Sequence, residues 1–226
     1  PAAEAAGVEV ITNCKVERIG GRECVVTVTN PPFGEPSRWP QGRYRIRARA
    51  IVVAAGAVNS PALLLRSRLP VRLPALGRYF TAHPALILVG EHDRPITNFY
   101  GHPKSYYCDH FVESAKFLLE TCMYFPFTTA KNLIGFGAEH AEMMARMDRM
   151  QMILVLAVDP ALAENRVTVD SAGEPVVYYR FTDEVLDALV ESQRVAARIF
   201  FAAGCRRVHA PAGTGFFIGA DEAHRL

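Results

Sequence analysis

Residues 50–65, AIVVAAGAVNSPALLL, decide the fold that the sequence predicts. Residues 51–53 form a short β-branched apolar run, which is typical of a buried strand. Small residues follow at 54–57, and Ser60 and Pro61 then fit the N-cap and the first residue of a helix. Such a turn lets backbone amides approach a flat or anionic ligand beside the positive end of the helix. The same pattern also fits a closely packed corner that binds nothing.

A second stretch, LGRYFTAHP at residues 76–84, follows VVAAGAVNSPALLLRS at residues 52–67. Together the two stretches resemble the flavin-domain signature of the glucose-methanol-choline (GMC) family of FAD-dependent oxidoreductases. In that family the first stretch contacts the flavin nucleotide and the second leads into the substrate domain. The sequence departs from the family pattern at Arg68, where a glycine is usual, and at Phe80, which replaces a common leucine. Both departures concern the local turn.

The resemblance implies FAD as the cofactor and four residues that contact it. Backbone groups of Ala54, Ala55 and Gly56 would lie against the nucleotide, and Val16, in CKVERI, would lay its backbone against the adenine ring. The alternative for Val16 is an ordinary core valine. The dinucleotide fingerprint of the family lies upstream of this signature, and its catalytic histidine lies downstream of residue 226. We therefore expect the middle of a longer enzyme and assign no catalytic residue here.

Composition excludes several classes of protein. Half of the 226 residues are apolar, which is incompatible with general disorder, and the net charge of +2 gives no basic footprint for nucleic acid. The longest apolar run of the middle region, residues 152–158, is far shorter than the roughly 20 residues of a membrane span. Five scattered cysteines without a CxxC pair predict reduced thiols, and hence a cytoplasmic or membrane-peripheral location. The oligomeric state is left open.

The first third of the chain reads as a β-meander that precedes the signature. Residues 8–11, 14–19 and 24–29 are predicted strands, with a hairpin turn at Gly20 and Gly21. In the next predicted strand the arginines alternate with apolar residues and share one face, which fits a solvated surface better than a phosphate-binding stripe: Arg43, Arg45, Arg47 and Arg49.

The sequence changes character after His83, where we place a domain boundary. Residues 98–127 are rich in aromatic side chains that either fill a core or line an apolar pocket. Methionines at 143–152 recur at helical spacing, which fits core packing or contact with a flexible substrate. Four potential metal ligands lack the spacing of a metal site, and we predict none: His102, Cys108, Asp109 and His110.

The rest of the second half predicts an antiparallel hairpin at residues 166–180 and a long helix capped by Thr182 and ended by Gly204. Its buried face is predicted to carry Leu186, Leu189, Ala196, Ala197 and Phe200. Near the end, Gly213 and Gly215 resemble a dinucleotide loop, but the GxGxxxG spacing and the few residues that follow favour a turn-rich connection.

The predicted fold class is therefore α/β and α+β. Residues 1–83 would be part of an FAD-binding domain of the two-dinucleotide type with a β-meander. Residues 84–204 would be a substrate domain with an antiparallel sheet and flanking helices, and residues 205–226 a return segment. The resemblance implies an enzyme, similar to the branch that acts on long-chain alcohols, that moves a hydride from the CH–OH group of a small-molecule alcohol to the flavin, as an oxidase or a dehydrogenase. The alternative is a non-catalytic module that binds a nucleotide or a partner.

Overall fold

The structure, a computed structural model, describes residues 2–97, 99–123, 125–133, 135–209 and 217–225. The helices and strands, in chain order, are α1 (Ala2–Ala5), β1 (Cys14–Gly20), β2 (Glu23–Val28), β3 (Gly42–Arg47), α2 (Gly56–Ser67), β4 (Ala85–Glu91), β5 (Tyr107–Cys108), α3 (Val112–Ala115), β6 (Phe117–Cys122), α4 (Pro126–Asn132), α5 (Gly137–Met144), β7 (Met150–Ala157), β8 (Arg166–Val169), β9 (Pro175–Tyr178), α6 (Asp183–Ala202), β10 (Arg207–His209) and β11 (Phe217–Gly219), with 3-10 helices at Met147–Arg149 and Ala220–Arg225.

The chain divides into two compact units, each built from two segments. The first unit holds Pro1–Thr81 and Ala161–Arg180, and the second holds Ala82–Pro160 and Phe181–Leu226. Both are mixed α/β structures with antiparallel sheets. The division of the chain by role, into residues 1–83, 84–204 and 205–226, stays a prediction.

In the first unit, β1, β2 and β3 form an antiparallel sheet in that order, as the meander prediction required. Gly21 and Arg22 make the two-residue turn between β1 and β2, and Gly21 takes a φ of 58°, which glycine adopts without strain. Residues 8–11 form no strand, contrary to prediction. Val8 and Val10 are exposed, and within the described residues no neighbouring strand pairs with them.

The prediction for residues 51–53 was also wrong, because they form no strand. An apolar run becomes a strand only when a neighbour supplies hydrogen bonds, and the part of the chain that the structure describes provides none here. Val52 is 87% exposed, so the run is not buried either.

Helix α2 begins at Gly56, five residues earlier than the Ser60 and Pro61 pattern predicted. The Ser60 hydroxyl accepts a hydrogen bond from the Ala55 amide at 2.9 Å, so Ser60 acts from inside the first turns rather than as the N-cap. Pro61 lies within the helix, where it cannot donate to the carbonyl of Ala57. Ala62 and Leu63 form the buried face of the helix.

The predicted hairpin is β8 and β9, which pair antiparallel in the first unit. It packs against α2. Asp170 closes its turn, since the Asp170 carboxylate accepts the amides of Ala172 and Glu174, both at 2.9 Å. The hairpin thus brings residues that lie about one hundred positions further along the chain into contact with α2.

The second unit contains a six-stranded antiparallel sheet of order β11-β10-β4-β7-β6-β5. Helix α6 covers the sheet, and Phe117, Val155 and Phe200 are fully buried between them. Gly90 is required on β4, because a Cβ there would lie 2.4 Å from the Phe200 ring. This sheet and helix confirm the antiparallel architecture that the sequence predicted.

Helix α6 begins as predicted, because the Thr182 side chain accepts a hydrogen bond from the Val185 amide at 3.2 Å. The chain leaves the helix at Gly204, whose φ is 85°. Leu186 was predicted on the buried face but is exposed, and Val185 and Ala188 are buried instead. The rest of the predicted stripe is confirmed, because Leu189 is partly buried and Ala196, Ala197 and Phe200 are buried.

The aromatic set is divided between core and surface. Phe117 is fully buried, Tyr124 lies outside the described residues, and several rings are exposed: Tyr100, Tyr106, Tyr107, Phe125 and Phe127. The spacing of the methionines predicted that they would lie along one helix, but they do not. They lie on α5, on a 3-10 turn and on β7, and Met143, Met150 and Met152 fill one core cluster. Gly213 and Gly215 of the predicted turn-rich connection lie outside the described residues.

Candidate functional site

The first unit contains a cavity of about 600 Å³ between β1 and the segment that leads into α2. Its lining brings together three of the four residues that the sequence singled out, Val16, Ala54 and Ala55. Gly56 follows directly as the first residue of α2 and has a φ of 80°. Nothing lies within 4 Å of a Cβ built on Gly56, so open space adjoins the start of the helix.

The cavity wall combines apolar and polar residues. Ile51, Val52 and Val53 line it together with Ile19 and Leu63. The most exposed of them, Val52, presents a large apolar surface that a flat ligand would cover.

The polar residues that line the cavity include Arg66, Lys15 and Glu174. Lys15 Nζ and Glu174 Oε1 form an ion pair of 2.8 Å, in which both side chains are more than half exposed. An exposed pair of this kind contributes little to stability. The sequence reasoning missed Glu174 because it lies on the β8–β9 hairpin, far away along the chain.

Two cysteines also line this cavity, Cys14 and Cys24, and both are free thiols. Burial, and then the nearby Cys24, raise the pKa of Cys14 above its ordinary value. A raised pKa keeps the thiol protonated and therefore a poor nucleophile. Both cysteines contribute to the wall, and Cys14 is poorly suited to covalent chemistry.

Helix α2 is attached to β1 by two consecutive side chains at its end. The Ser67 hydroxyl accepts the Ile19 amide at 2.9 Å and donates to the Leu63 carbonyl at 2.6 Å. The Arg66 guanidinium donates to the Val16 carbonyl at 2.9 Å. The end of α2 therefore fixes the strand that carries Val16. The signal in the sequence was the pair Arg66-Ser67 at the end of the signature.

The arginines of β3 face solvent, as the favoured interpretation of their spacing predicted. Arg43 forms an ion pair of 2.6 Å with Glu17, and Arg45 and Arg47 lie within 3.8 Å of Glu23. Hydrogen bonds from Thr27 and then Arg43 lower the pKa of Glu17 below its ordinary value. The stripe is a paired, solvated surface.

The second signature stretch contacts both α2 and the hairpin. It lines a smaller cavity of about 340 Å³ with residues of the first stretch, among them Ala57, Ser60 and Leu64. Gly77 accounts for the glycine of the motif, because its φ is 75° and a Cβ would lie 2.2 Å from the Val167 carbonyl oxygen. The two stretches that carry the resemblance are therefore adjacent in space as well as in sequence.

The second unit holds an ion network around the buried Glu91 and a contact between a cysteine and a histidine. Glu91, which is 4% exposed, accepts from Arg207 at 2.8 Å and lies 3.2 Å from Arg146. Cys205 Sγ lies 3.2 Å from His92 Nε2, and burial raises the pKa of Cys205 to about 11. Across the described residues no group of His, Cys, Asp or Glu side chains could hold a metal ion.

Comparison with known proteins agrees with the family resemblance. Residues 1–85 match the sequence model of the family described as GMC oxidoreductase. Over 209 residues the chain is 32% identical to proteins described as uncharacterized GMC-type oxidoreductases from two strains of Mycobacterium tuberculosis. The match covers 92% of this chain and 32% of each relative, so the chain spans about a third of the length of the curated relatives it matches.

The first unit thus carries the first signature stretch and the cavity beside it. Residues 1–85, which contain both signature stretches, match the GMC oxidoreductase family, as those stretches predicted. The N-terminal domain of that family binds FAD, which confirms the predicted cofactor. Among the described residues, no helix has the combination of length and apolar character needed to cross a bilayer.

The residues of the first unit fit an FAD nucleotide in chemical terms. Small side chains at Ala54 and Ala55, with open space beside Gly56, leave room for a ligand next to the positive end of a 12-residue helix. The apolar wall at Val52 suits a flat ring.

Proposed function

We propose that this chain is part of an FAD-dependent enzyme that oxidises an alcohol to a carbonyl compound. The observation that carries the proposal is the cavity between β1 and α2, because it lies inside the segment that matches the GMC family and gathers Val16, Ala54 and Ala55. Backbone groups of these residues, with Gly56, would hold the adenine and ribose side of FAD. The surrounding domain would have the two-dinucleotide arrangement.

When bound, FAD would supply the two-electron acceptor that the loss of a hydride from the alcohol carbon requires. The hydroxyl proton must leave to a base, and the carbon–oxygen single bond then becomes the carbonyl double bond. Ala54, Ala55 and Gly56 would bind and orient the nucleotide without taking part in this proton transfer. The catalytic base is not assigned to a residue of this chain.

The proposed substrate is a long aliphatic or aromatic alcohol, and the second unit would bind it. Supporting this choice, several rings on that unit are exposed, among them Tyr106, Tyr107, Phe125 and Phe127. A sugar would need many polar groups and a choline head an aromatic cage, whereas an apolar chain needs apolar contact area. We propose a cytoplasmic or membrane-peripheral location for such an enzyme.

Anaerobic reduction of the flavin tests this function. The whole protein that the reading frame encodes is loaded with FAD and mixed with decanol, benzyl alcohol, glucose or choline, and the loss of the visible flavin band is followed. We expect the reduction rate divided by the dissociation constant of the alcohol to be higher for decanol or benzyl alcohol than for glucose or choline. Preferred reduction by glucose would contradict the substrate. FAD binding without reduction by any alcohol would favour the non-catalytic nucleotide-binding module.

A further inference from the structure

Arg66, near the end of α2, donates three hydrogen bonds, and all three acceptors are backbone carbonyl oxygens. Its Nη2 donates to Val16 at 2.9 Å, its Nε to Glu17 at 2.7 Å and its Nη1 to Gly173 at 3.3 Å. The guanidinium is a planar group whose donors have fixed directions. One side chain therefore fixes α2, β1 and the turn of the β8–β9 hairpin relative to one another.

Two of these acceptors lie where β1 departs from regular pairing. The register between β1 and β2 shifts between Val16 and Arg18, so Glu17 is the extra residue of a β-bulge. A bulge leaves the extra residue unpaired in the ladder and changes the direction of neighbouring groups. Because Arg66 bonds the carbonyls of Val16 and Glu17, it stabilises the strand in this bulged conformation.

The bulge borders the 600 Å³ cavity, which both Val16 and Arg66 line. A carbonyl oxygen has two lone pairs, so the Val16 oxygen can accept from Arg66 and still accept from a ligand. We propose that Arg66 is a positioning residue for the adenine end of FAD. It holds the backbone of Val16 in the orientation in which this backbone contacts the adenine base. This inference rests on the proposed function, because it takes the ligand of the cavity to be FAD.

The positioning role of Arg66 is tested by comparing the affinities of the protein for two flavin dinucleotides that differ in the base. FAD is compared with the analogue that carries hypoxanthine in place of adenine, on the flavin-free form of the whole protein that the reading frame encodes. Adenine carries an amino donor where hypoxanthine carries an acceptor oxygen. The ratio of the two dissociation constants therefore reports how well backbone groups of the strand read the base, and a general loss of stability would weaken both ligands alike.

We expect the wild-type protein to prefer FAD. Arg66→Met should weaken FAD about tenfold, which corresponds to about 1.4 kcal/mol, and bring the ratio close to one. Arg66→Lys keeps the charge but lacks the planar fork, so it should shift the ratio in the same direction. If Arg66→Met does not fold, Arg66→Lys carries the test.

Ser67→Ala is the matched control, because Ser67 ties the same helix to the same strand at Ile19, away from the bulge. We expect this variant to lower the thermal midpoint and to keep the wild-type ratio. An unchanged ratio in the Arg66 variants, or a wild-type protein that binds FAD without preferring it over the analogue, would overturn the positioning role. A wild-type protein that binds neither flavin would instead overturn the proposed function on which the inference rests.

Discussion

Asn165 and Arg180 exchange two hydrogen bonds at the base of the β8–β9 hairpin. Asn165 Nδ2 donates to the Arg180 carbonyl at 3.2 Å, and the Arg180 amide donates to Asn165 Oδ1 at 3.0 Å. The backbone carbonyl of Asn165 also accepts the Phe80 amide at 2.9 Å. Asn165 is only 2% exposed, so one buried side chain closes the hairpin at the point where the second signature stretch meets it.

Replacing Asn165 by alanine should therefore destabilise the protein. The change removes two part-buried hydrogen bonds, and a net contribution of about 0.5–1.5 kcal/mol for each gives a loss of about 1–3 kcal/mol. We expect a loss of that size in the free energy of unfolding measured with urea. Asn30→Ala, at an exposed position, is the control and should change little. Equal stability of the two variants would show that the paired bonds are unimportant.

Gly77→Ala should destabilise the protein through its backbone. The added Cβ would meet the Val167 carbonyl oxygen, and the φ of 75° is unfavourable for alanine. A strained backbone of this kind costs about 1–3 kcal/mol, visible as a lower denaturation midpoint. Gly20→Ala is the matched control in the same unit, since a Cβ on Gly20 meets nothing within 4 Å. If Gly77→Ala unfolds at the same denaturant concentration as Gly20→Ala, the crowding at Gly77 is not real.

Acid should weaken the second unit through His209. The imidazole is 3% exposed, and its Nε2 has no hydrogen-bond partner among the residues that the structure describes. Burial, and then the Arg207 charge, lower the pKa of His209 below its ordinary value of 6.5. Between 6.5 and the lowered pKa the unfolded chain binds a proton that the folded chain does not, so stability falls as the pH falls through this window.

His209→Leu removes this titration, and its free energy of unfolding should depend less on pH below 6.5 than that of the wild-type protein. Above 6.5 the two proteins should show parallel pH profiles. Urea unfolding at a series of pH values from neutral to mildly acidic measures both. Profiles that remain parallel throughout would mean that His209 is not a buried neutral imidazole.

The sequence predicted the local elements whose signals are complete within a few residues. Alternating residues with Gly21 predicted the β1–β2 hairpin, and Thr182 predicted the start of α6. Residues 51–53 were predicted wrongly because a strand also depends on a neighbour that the local pattern does not contain. Ser60 and Pro61 misplaced the start of α2 because both residue types also occur inside the first turns of a helix, where they have other roles.

The candidate site was predicted only as far as the resemblance reached. Val16, Ala54 and Ala55 line one cavity, and their contacts with FAD stay a prediction. Arg66 could not be assigned a role from the sequence, because its acceptors are 50 residues away at Val16 and 107 residues away at Gly173. Such contacts depend on the tertiary structure rather than on the local sequence.

The central claim, that the cavity beside Ala54 holds FAD, is tested most directly by filling it. Ala54→Trp places a large ring in the cavity from an exposed position, and Ala3→Trp, on exposed α1, is the control. FAD affinity is measured by flavin fluorescence on the whole protein that the reading frame encodes. We predict that Ala54→Trp weakens FAD at least tenfold, about 1.4 kcal/mol, while the thermal midpoint without FAD stays close to that of the wild-type protein. FAD affinity equal to that of the wild-type protein and of Ala3→Trp would contradict the account.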